Sequence, residues 1–308
     1  MPRILNFGSL NIDYTYNVPA FVQAGETIAA SDMKIFCGGK GLNQSIALSR
    51  AGAVVYHAGA VGKDGDMLIS VLEKSCVDTS LVKRREGVSG HAIIQIDPNG
   101  RNCILVYGGA NQSIAADDID NAINNFGPGD YLILQNEINL VDEIMKKART
   151  RGIKIVFNPS PLSDSISAYP LELVDILVLN EVEAMQIIGE RNTTCIISSI
   201  CEKFPQSAVV LTLGENGVMY KDSLLAAPLE HKAFKIKVVD TTAAGDTFTG
   251  YFIGGIAKGL TVIEALETAS AASALSVSRQ GAEPSIPYLD EVGMFILSYH
   301  KNAKGDMQ

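Results

Sequence analysis

The sequence contains no tryptophan, and its 308 residues carry just four histidines, five cysteines and no excess of basic charge. Each shortage excludes a class of chemistry. Cys37, Cys76, Cys103, Cys195 and Cys201 are odd in number, form no C-x-x-C pair and have no nearby histidine to complete a zinc set. They read as small buried hydrophobes in a reducing compartment. His57, His91, His231 and His300 are scattered, and no serine sits in a G-x-S-x-G turn, so Ser-His-Asp hydrolysis has no support. A net charge of -9 and an isoelectric point near 5.0 leave no basic surface for phosphate neutralisation, so no nucleic-acid partner is expected. No run of about 18 uncharged apolar residues occurs, and the start, "MPRILNFGSLNID", lacks a basic head with an apolar stretch behind it. A soluble cytoplasmic protein with no membrane partner is therefore expected.

What is present is apolar content of 47%, enough for one large core. "ILNFGS", "AVVYHAGAV", "DYLILQ", "IKIVFN", "DILVLN" and "AVVLTLG" are apolar runs of strand length, most followed by helix-like stretches such as "GLNQSIALSRAG" and "LVDEIMKKARTRG". Near-continuous apolar strands separated by helices indicate a parallel sheet covered on both faces. The C-terminal third reads as helical and rich in small residues that permit close packing. No repeat or Pro/Ser-rich linker divides the chain, so residues 1–308 are expected to form one domain. Two stretches break the alternation. Residues 13–36 are strand-like without a helix, and "GHAIIQIDPNGRNCILVYGG" (90–109) reads as a hairpin turning at "DPNG". Together they are expected to form a small β-sheet lid beside the strand ends.

Polar signals stand where those strands end. "VVDTTAAGDTFTG" (238–250) is a strand end, a turn of very small residues and a helix start carrying Asp246. Alone, such an acid is an N-cap. "FCGGKGLNQ" (36–44) puts glycines at a strand-to-helix junction, but it is neither a Walker sequence nor a full G-x-G-x-x-G. "GSLNID" (8–13) sets Asn11 and Asp13 after an apolar strand, where open α/β sheets bind ligands and where Asn and Asp also form plain turns. "VLNEVEA" (178–184) offers Asn180 and Glu183 on one helical turn, either to hold waters of a Mg2+ ion or as a capping box. "TLGENG" (212–217) suits a nucleotide phosphate or a hairpin turn.

In this order, with "NPSP" (158–161) and "GAEPS" (281–285), these pieces resemble the ribokinase family of sugar kinases, also called the phosphofructokinase B family, over nearly the whole chain. The resemblance implies a three-layer α/β/α fold with a mostly parallel central sheet and a small β lid. It implies ATP-dependent phosphorylation of a free sugar, D-ribose to ribose 5-phosphate; the alternatives are another sugar or a nucleoside as acceptor, or a non-catalytic sugar-binding regulator. Asp246 is implied as the general base that takes the proton of the attacking hydroxyl. Ala243, Ala244 and Gly245 are implied as an anion hole, since they have no bulk to keep phosphate from the backbone N–H groups at the helix start.

The same carry-over assigns Asn11, Asp13, Gly39, Lys40, Asn43 and Glu137 to the sugar. Asn180 and Glu183 go to Mg-ATP, and Thr212, Gly214 and Gly217 to the nucleotide. A potassium ion is implied between the Asp240 carboxylate, the carbonyls of Thr242, Ser276, Arg279 and Gly281, and Ser285. Asp13 would repel a sugar phosphate, which favours a neutral sugar. Two positions depart from the family pattern: Glu137 lies in "QNEIN" rather than before a Ser-Pro turn, and Ser270 stands where a larger amide or imidazole is expected beside adenine. An exposed lid edge would allow a homodimer.

Overall fold

In the computed structural model, which describes residues 1–189 and 196–305, each of the six apolar runs is a strand. Seven strands run parallel: β1 (Arg3–Phe7), β4 (Val54–Val61), β5 (Asp78–Arg84), β8 (Tyr131–Gln135), β9 (Lys154–Asn158), β10 (Ile176–Asn180) and β11 (Ala208–Thr212). Their order in the sheet is β11-β10-β9-β8-β1-β4-β5, and β12 (Val218–Lys221) and β13 (Leu229–His231) extend it antiparallel beyond β11. The chain thus winds outward from β1 in one direction and then from β8 in the other. The reversal between β1 and β8 opens a crevice at the carboxyl ends of those strands, the place where such sheets bind ligands.

Period-two alternation explains why the runs are apolar throughout. Ile4, Ile133, Val156, Val178 and Val210 enter one hydrophobic core, while their neighbours Leu5, Leu132, Ile155, Leu177 and Val209 enter the other. The first core is shared with α1 (Lys40–Arg50), α2 (Asp66–Lys74), α7 (Ala244–Ala257), α8 (Val262–Val277) and α9 (Leu289–Gly305). The second lies under α3 (Ala116–Ile123), α4 (Val141–Thr150), α5 (Glu181–Ile188) and α6 (Ile196–Lys203). Small residues set the spacing of α7 on α1: a Cβ on Gly250 would lie 2.4 Å from the Ala47 Cβ. No helix among the described residues is long and apolar enough to cross a membrane.

The two stretches that break the alternation form a separate four-stranded sheet, ordered β3-β2-β6-β7. It contains β2 (Asn11–Asn17), β3 (Asp32–Gly38), β6 (Gly90–Ile96) and β7 (Asn102–Tyr107). The β6–β7 hairpin turns where expected, with the Gly100 N–H donating to the Asp97 carbonyl at 2.9 Å. Residues 18–30, by contrast, form a loop without strand or helix, as Pro19 and Gly25 at φ +81° allow. Because β2 continues directly from the carboxyl end of β1, this sheet roots beside the crevice.

Candidate active site

Asp246 is the third residue of α7, not its cap. The N-cap is Ala243, held in the left-handed region at φ 60° and offering no side-chain acceptor. The Asp246 carboxylate, 7% exposed, accepts from Asn43 Nδ2 at 3.0 Å and from Gln44 Nε2 at 2.9 Å. Its oxygens therefore face α1 rather than the first turn of their own helix. The N–H groups of Gly245 and Asp246 donate to no protein acceptor among the described residues. A Cβ on Gly245 would meet no protein atom within 4 Å, so the space before this helix start is open. Free N–H donors, the helix dipole and open space suit an anion.

A cavity of about 230 Å³ joins this turn to the ends of β9, β10 and β11. Lys40, Asn158, Asn180, Glu183, Thr212 and Asp246 supply its polar lining. Wider grooves lie elsewhere, but this one gathers the titratable groups at the strand ends. Asn180 and Glu183 form a reciprocal capping box, with Asn180 Oδ1 accepting from the Glu183 N–H at 2.9 Å and Glu183 Oε2 from the Asn180 N–H at 3.0 Å. The capping alternative is thus realised, on the wall of the cavity. Gly214 and Gly217 lie in the β11–β12 hairpin at φ +55° and +102°, so the "TLGENG" glycines meet a turn requirement whatever else they do.

The second cluster sits at the β1–β8 crevice. Gly39 adopts φ +93°, and a Cβ on Gly41 would lie 2.4 Å from the Ser9 nitrogen, so the glycine stretch lets α1 start against the end of β1. Glu137 Oε2 accepts from the Lys40 N–H at 3.0 Å and from the Ser9 hydroxyl. Burial raises the Glu137 pKa, and the nearby Lys40 opposes this. Burial alone would lower that of Lys40, but the carboxylates of Asp246, Glu137 and Glu183 outweigh it and the net direction is upward. Asp13 on β2 accepts no hydrogen bond from the described residues. Burial and repulsion by Glu137 push its carboxyl up to about 7. Asn11 is pinned by Asn111 Nδ2 at 2.7 Å, a contact with no signal in the local sequence.

The Asp240 carboxylate ties the segment before α7 to the one after α8. It accepts from the Thr242 N–H at 2.9 Å, the Thr242 hydroxyl at 2.6 Å and the Gly281 N–H at 2.9 Å. Burial raises its pKa, but these bonds outweigh burial and hold it below the ordinary value. The carbonyls of Thr242, Arg279 and Gly281 accept no hydrogen bond among the described residues, while that of Ser276 accepts from Arg279. Ser276 and Ser285 share a hydroxyl bond at 2.8 Å. Unengaged carbonyls beside one carboxylate suit a large monovalent cation.

A parallel sheet with ligand-facing strand ends, an open helix start and a buried carboxylate beside it suit a phosphoryl-transfer enzyme of the α/β class. The description "pfkB family carbohydrate kinase" matches residues 1–289, and the chain belongs to that family. It is a sugar kinase, a phosphotransferase. The ribokinase of Staphylococcus aureus (strain COL) is 33% identical, the match covering 94% of this chain and 98% of that one. Among solved structures, the ribokinase from Cryptococcus neoformans var. grubii serotype A in complex with ADP is 30% identical, with a TM-score of 0.85 over 96% of this chain and 99% of that one. The Arabidopsis thaliana ribokinase complexed with ribose and ATP is 28% identical, with a TM-score of 0.84 over 96% and 98%.

Proposed function

We propose that this kinase transfers the γ-phosphoryl group of ATP to the 5-hydroxyl of D-ribose, with Asp246 as general base. The observation that carries the reading is the pairing of a buried, hydrogen-bonded Asp246 carboxylate with unengaged N–H groups in the same helical turn. A binding protein would need the donors but not the base. The names of relatives, ribokinases binding ribose, ATP or ADP, support the same substrates.

In this mechanism Asn11, Asp13, Gly39, Lys40, Asn43 and Glu137 hold the sugar in the β1–β8 crevice, the acids accepting from its hydroxyls. Asp246 takes the proton of the attacking hydroxyl as the new O–P bond forms and the bond to ADP breaks. Backbone N–H groups of Ala243 and Gly245 face the charge that builds on the transferring group, and that of Ala244 joins them by giving up its 3.3 Å bond to the Thr241 carbonyl. Thr212, Gly214 and Gly217 border the nucleotide. Asn180 and Glu183 would hold waters of a Mg2+ ion, which neutralises phosphate charge when bound. Asp240, Thr242, Ser276, Arg279, Gly281 and Ser285 would hold K+, which would keep the backbone N–H groups of the turn at 243–246 in position rather than take part in the chemistry.

The four-stranded sheet is read as a lid closing over the crevice, and residues 1–308 as one domain built around it. Slower hydrogen exchange in β2 and β6 with ribose bound is expected; equal exchange would remove the lid. Ile104, Leu105, Val106 and Tyr107 on β7 are all more than half exposed, which supports a homodimer through this sheet. Cys37, Cys76, Cys103 and Cys201 are free but not the buried hydrophobes expected, since Cys76 and Cys103 are exposed and Cys37 and Cys201 half-buried, while Cys195 lies outside the described residues; free thiols suit the cytoplasm proposed for this kinase. The test is coupled ADP release over free ribose, 2-deoxyribose, other pentoses, hexoses and nucleosides. Ribose is expected to give the highest kcat/KM, and a nucleoside or hexose ahead of it would overturn the substrate assignment.

A further inference from the structure

Behind Asp246 runs a line of polar side chains that the mechanism above does not use. Asn6 on β1, Gln135 on β8, His57 on β4, and Gln44 and Ser45 on α1 are all at 0% exposure, inside a sheet whose other buried positions are mostly apolar. They form one connected chain. Gln44 Nε2 donates to Asp246 Oδ1 at 2.9 Å, Gln135 Nε2 donates to Gln44 Oε1 at 2.7 Å and to Asn6 Oδ1 at 2.9 Å, and Asn6 Nδ2 reaches Ser45 Oγ at 2.8 Å. Ser45 Oγ lies 2.7 Å from His57 Nδ1.

Chemistry fixes the polarity of the amide links. An ionised carboxylate can only accept, so the Gln44 amide must turn its N–H to Asp246 and its oxygen to Gln135. At the other end Asn6 Nδ2 also donates to the Gly41 carbonyl at 2.7 Å, an acceptor too, so the Asn6 oxygen must face Gln135. Gln135 is left to donate to both. Ser45 accepts from Asn6 and, with no other acceptor for its hydrogen among the described residues, donates to His57 Nδ1 when the imidazole is the neutral Nε2–H tautomer. Burial favours that form by pushing the His57 pKa down to about 4.

This arrangement is costly. Gln135 Oε1 has no hydrogen-bond partner, and apolar residues of similar shape would pack here without that penalty. What the chain does provide is a single orientation for Gln44. Were Gln44 to rotate by half a turn, its oxygen would face the Asp246 carboxylate and its NH2 would face the NH2 of Gln135. Since Asn43 holds the second oxygen of Asp246, both oxygens are fixed and the plane of the carboxylate is set. Lys40, Glu137 and Glu183 are the other charged groups coupled to this site.

We propose that Gln44 and Gln135 are positioning residues for phosphoryl transfer, kept in register by Asn6, Ser45 and His57, and that they aim the Asp246 carboxylate at the attacking hydroxyl. This rests on Asp246 being the base. A misdirected base costs rate at the chemical step but not sugar binding, so the effect falls on kcat rather than KM.

The experiment compares Gln135→Met, His57→Leu, His57→Asn and Asp246→Asn by steady-state ribose phosphorylation, with thermal melting to confirm folding. Gln135→Met is expected to lower kcat about tenfold or more, with KM for ribose and ATP within about twofold. His57→Asn, whose side-chain oxygen can accept from Ser45, should keep more kcat than His57→Leu. In the Asp246→Asn background, Gln135→Met should cost nothing further, because the group it aims is gone. If Gln135→Met does not fold, the two His57 variants decide, and equal kcat in both overturns the proposal. Wild-type kcat in Gln135→Met, or a full further loss in the double variant, also overturns it while leaving the base in place. Wild-type kcat in Asp246→Asn overturns the base assignment and this proposal together.

Discussion

The Asp13 carboxyl gives a pH dependence that can be worked out in advance. It is buried near Glu137 with no donor among the described residues, and its pKa stands near 7 instead of 3.8. If the bound sugar donates hydroxyl hydrogens to it, the ionised form is the competent one. With a pKa near 7, about one molecule in eleven is ionised at pH 6 and about ten in eleven at pH 8, so kcat/KM for ribose should rise about tenfold across that interval. At saturating ribose the rise in kcat should be smaller, because bound hydroxyls stabilise the charge and pull the pKa down. Titration of ATP and Mg2+ affects every variant alike, so Asp13→Asn serves as the reference. It should lose most kcat/KM at pH 8 and little at pH 6, the two curves converging as pH falls. Stability carries the matching sign: the folded pKa lies above the unfolded one, so this group's contribution is full below 3.8 and is lost as pH rises through about 7. Parallel pH profiles for wild type and Asp13→Asn would refute the reasoning.

Further outcomes follow from other groups. His57 has its pKa lowered from 6.5 to about 4, so the unfolded chain binds more protons between those values and stability falls as pH drops through that window. The His57 share of this loss from pH 7 to pH 5 should be about 2 kcal/mol, opposed in the same window by Asp13, so it is read as the change in the stability difference between wild type and His57→Asn by urea unfolding; a difference that does not change with pH would exclude His57 as its source. Potassium should raise kcat above that in a buffer whose only monovalent cation is a bulky organic amine, and Asp240→Ala should remove most of the response. Equal activity in both buffers would eliminate the cation site. Leu105→Glu on β7 should give a monomer by sedimentation if the small sheet pairs subunits; an unaltered mass would show that it does not.

The strands were legible because a parallel sheet buried on both faces demands unbroken apolar runs, and "DYLILQ" or "AVVLTLG" can be little else. The small sheet was legible from the "DPNG" turn and from strand-like sequence without a helix. The loop at 18–30 was harder, since the flanking β2 and β3 sequences are alternating and the break is carried by Pro19 and Gly25. Sequence left Asp246 open between a cap and a base, and the fold decides the first half: the cap is Ala243, and the carboxylate is turned to α1. Asn6, His57 and Gln135 are polar residues within or at the end of apolar runs. Their connection could not be read, because it exists only once β8, β1 and β4 lie side by side, and that order is a property of the crossovers. Asn111 was hidden for the same reason, reaching back a hundred residues to hold Asn11.

The most direct measurement is ribose-dependent ADP release by wild type and Asp246→Asn, with ribose affinity measured separately by calorimetry. The account predicts that Asp246→Asn folds, binds ribose within about threefold of wild type and loses about a hundredfold or more in kcat. A variant that binds ribose and turns over within a few fold of wild type would contradict it.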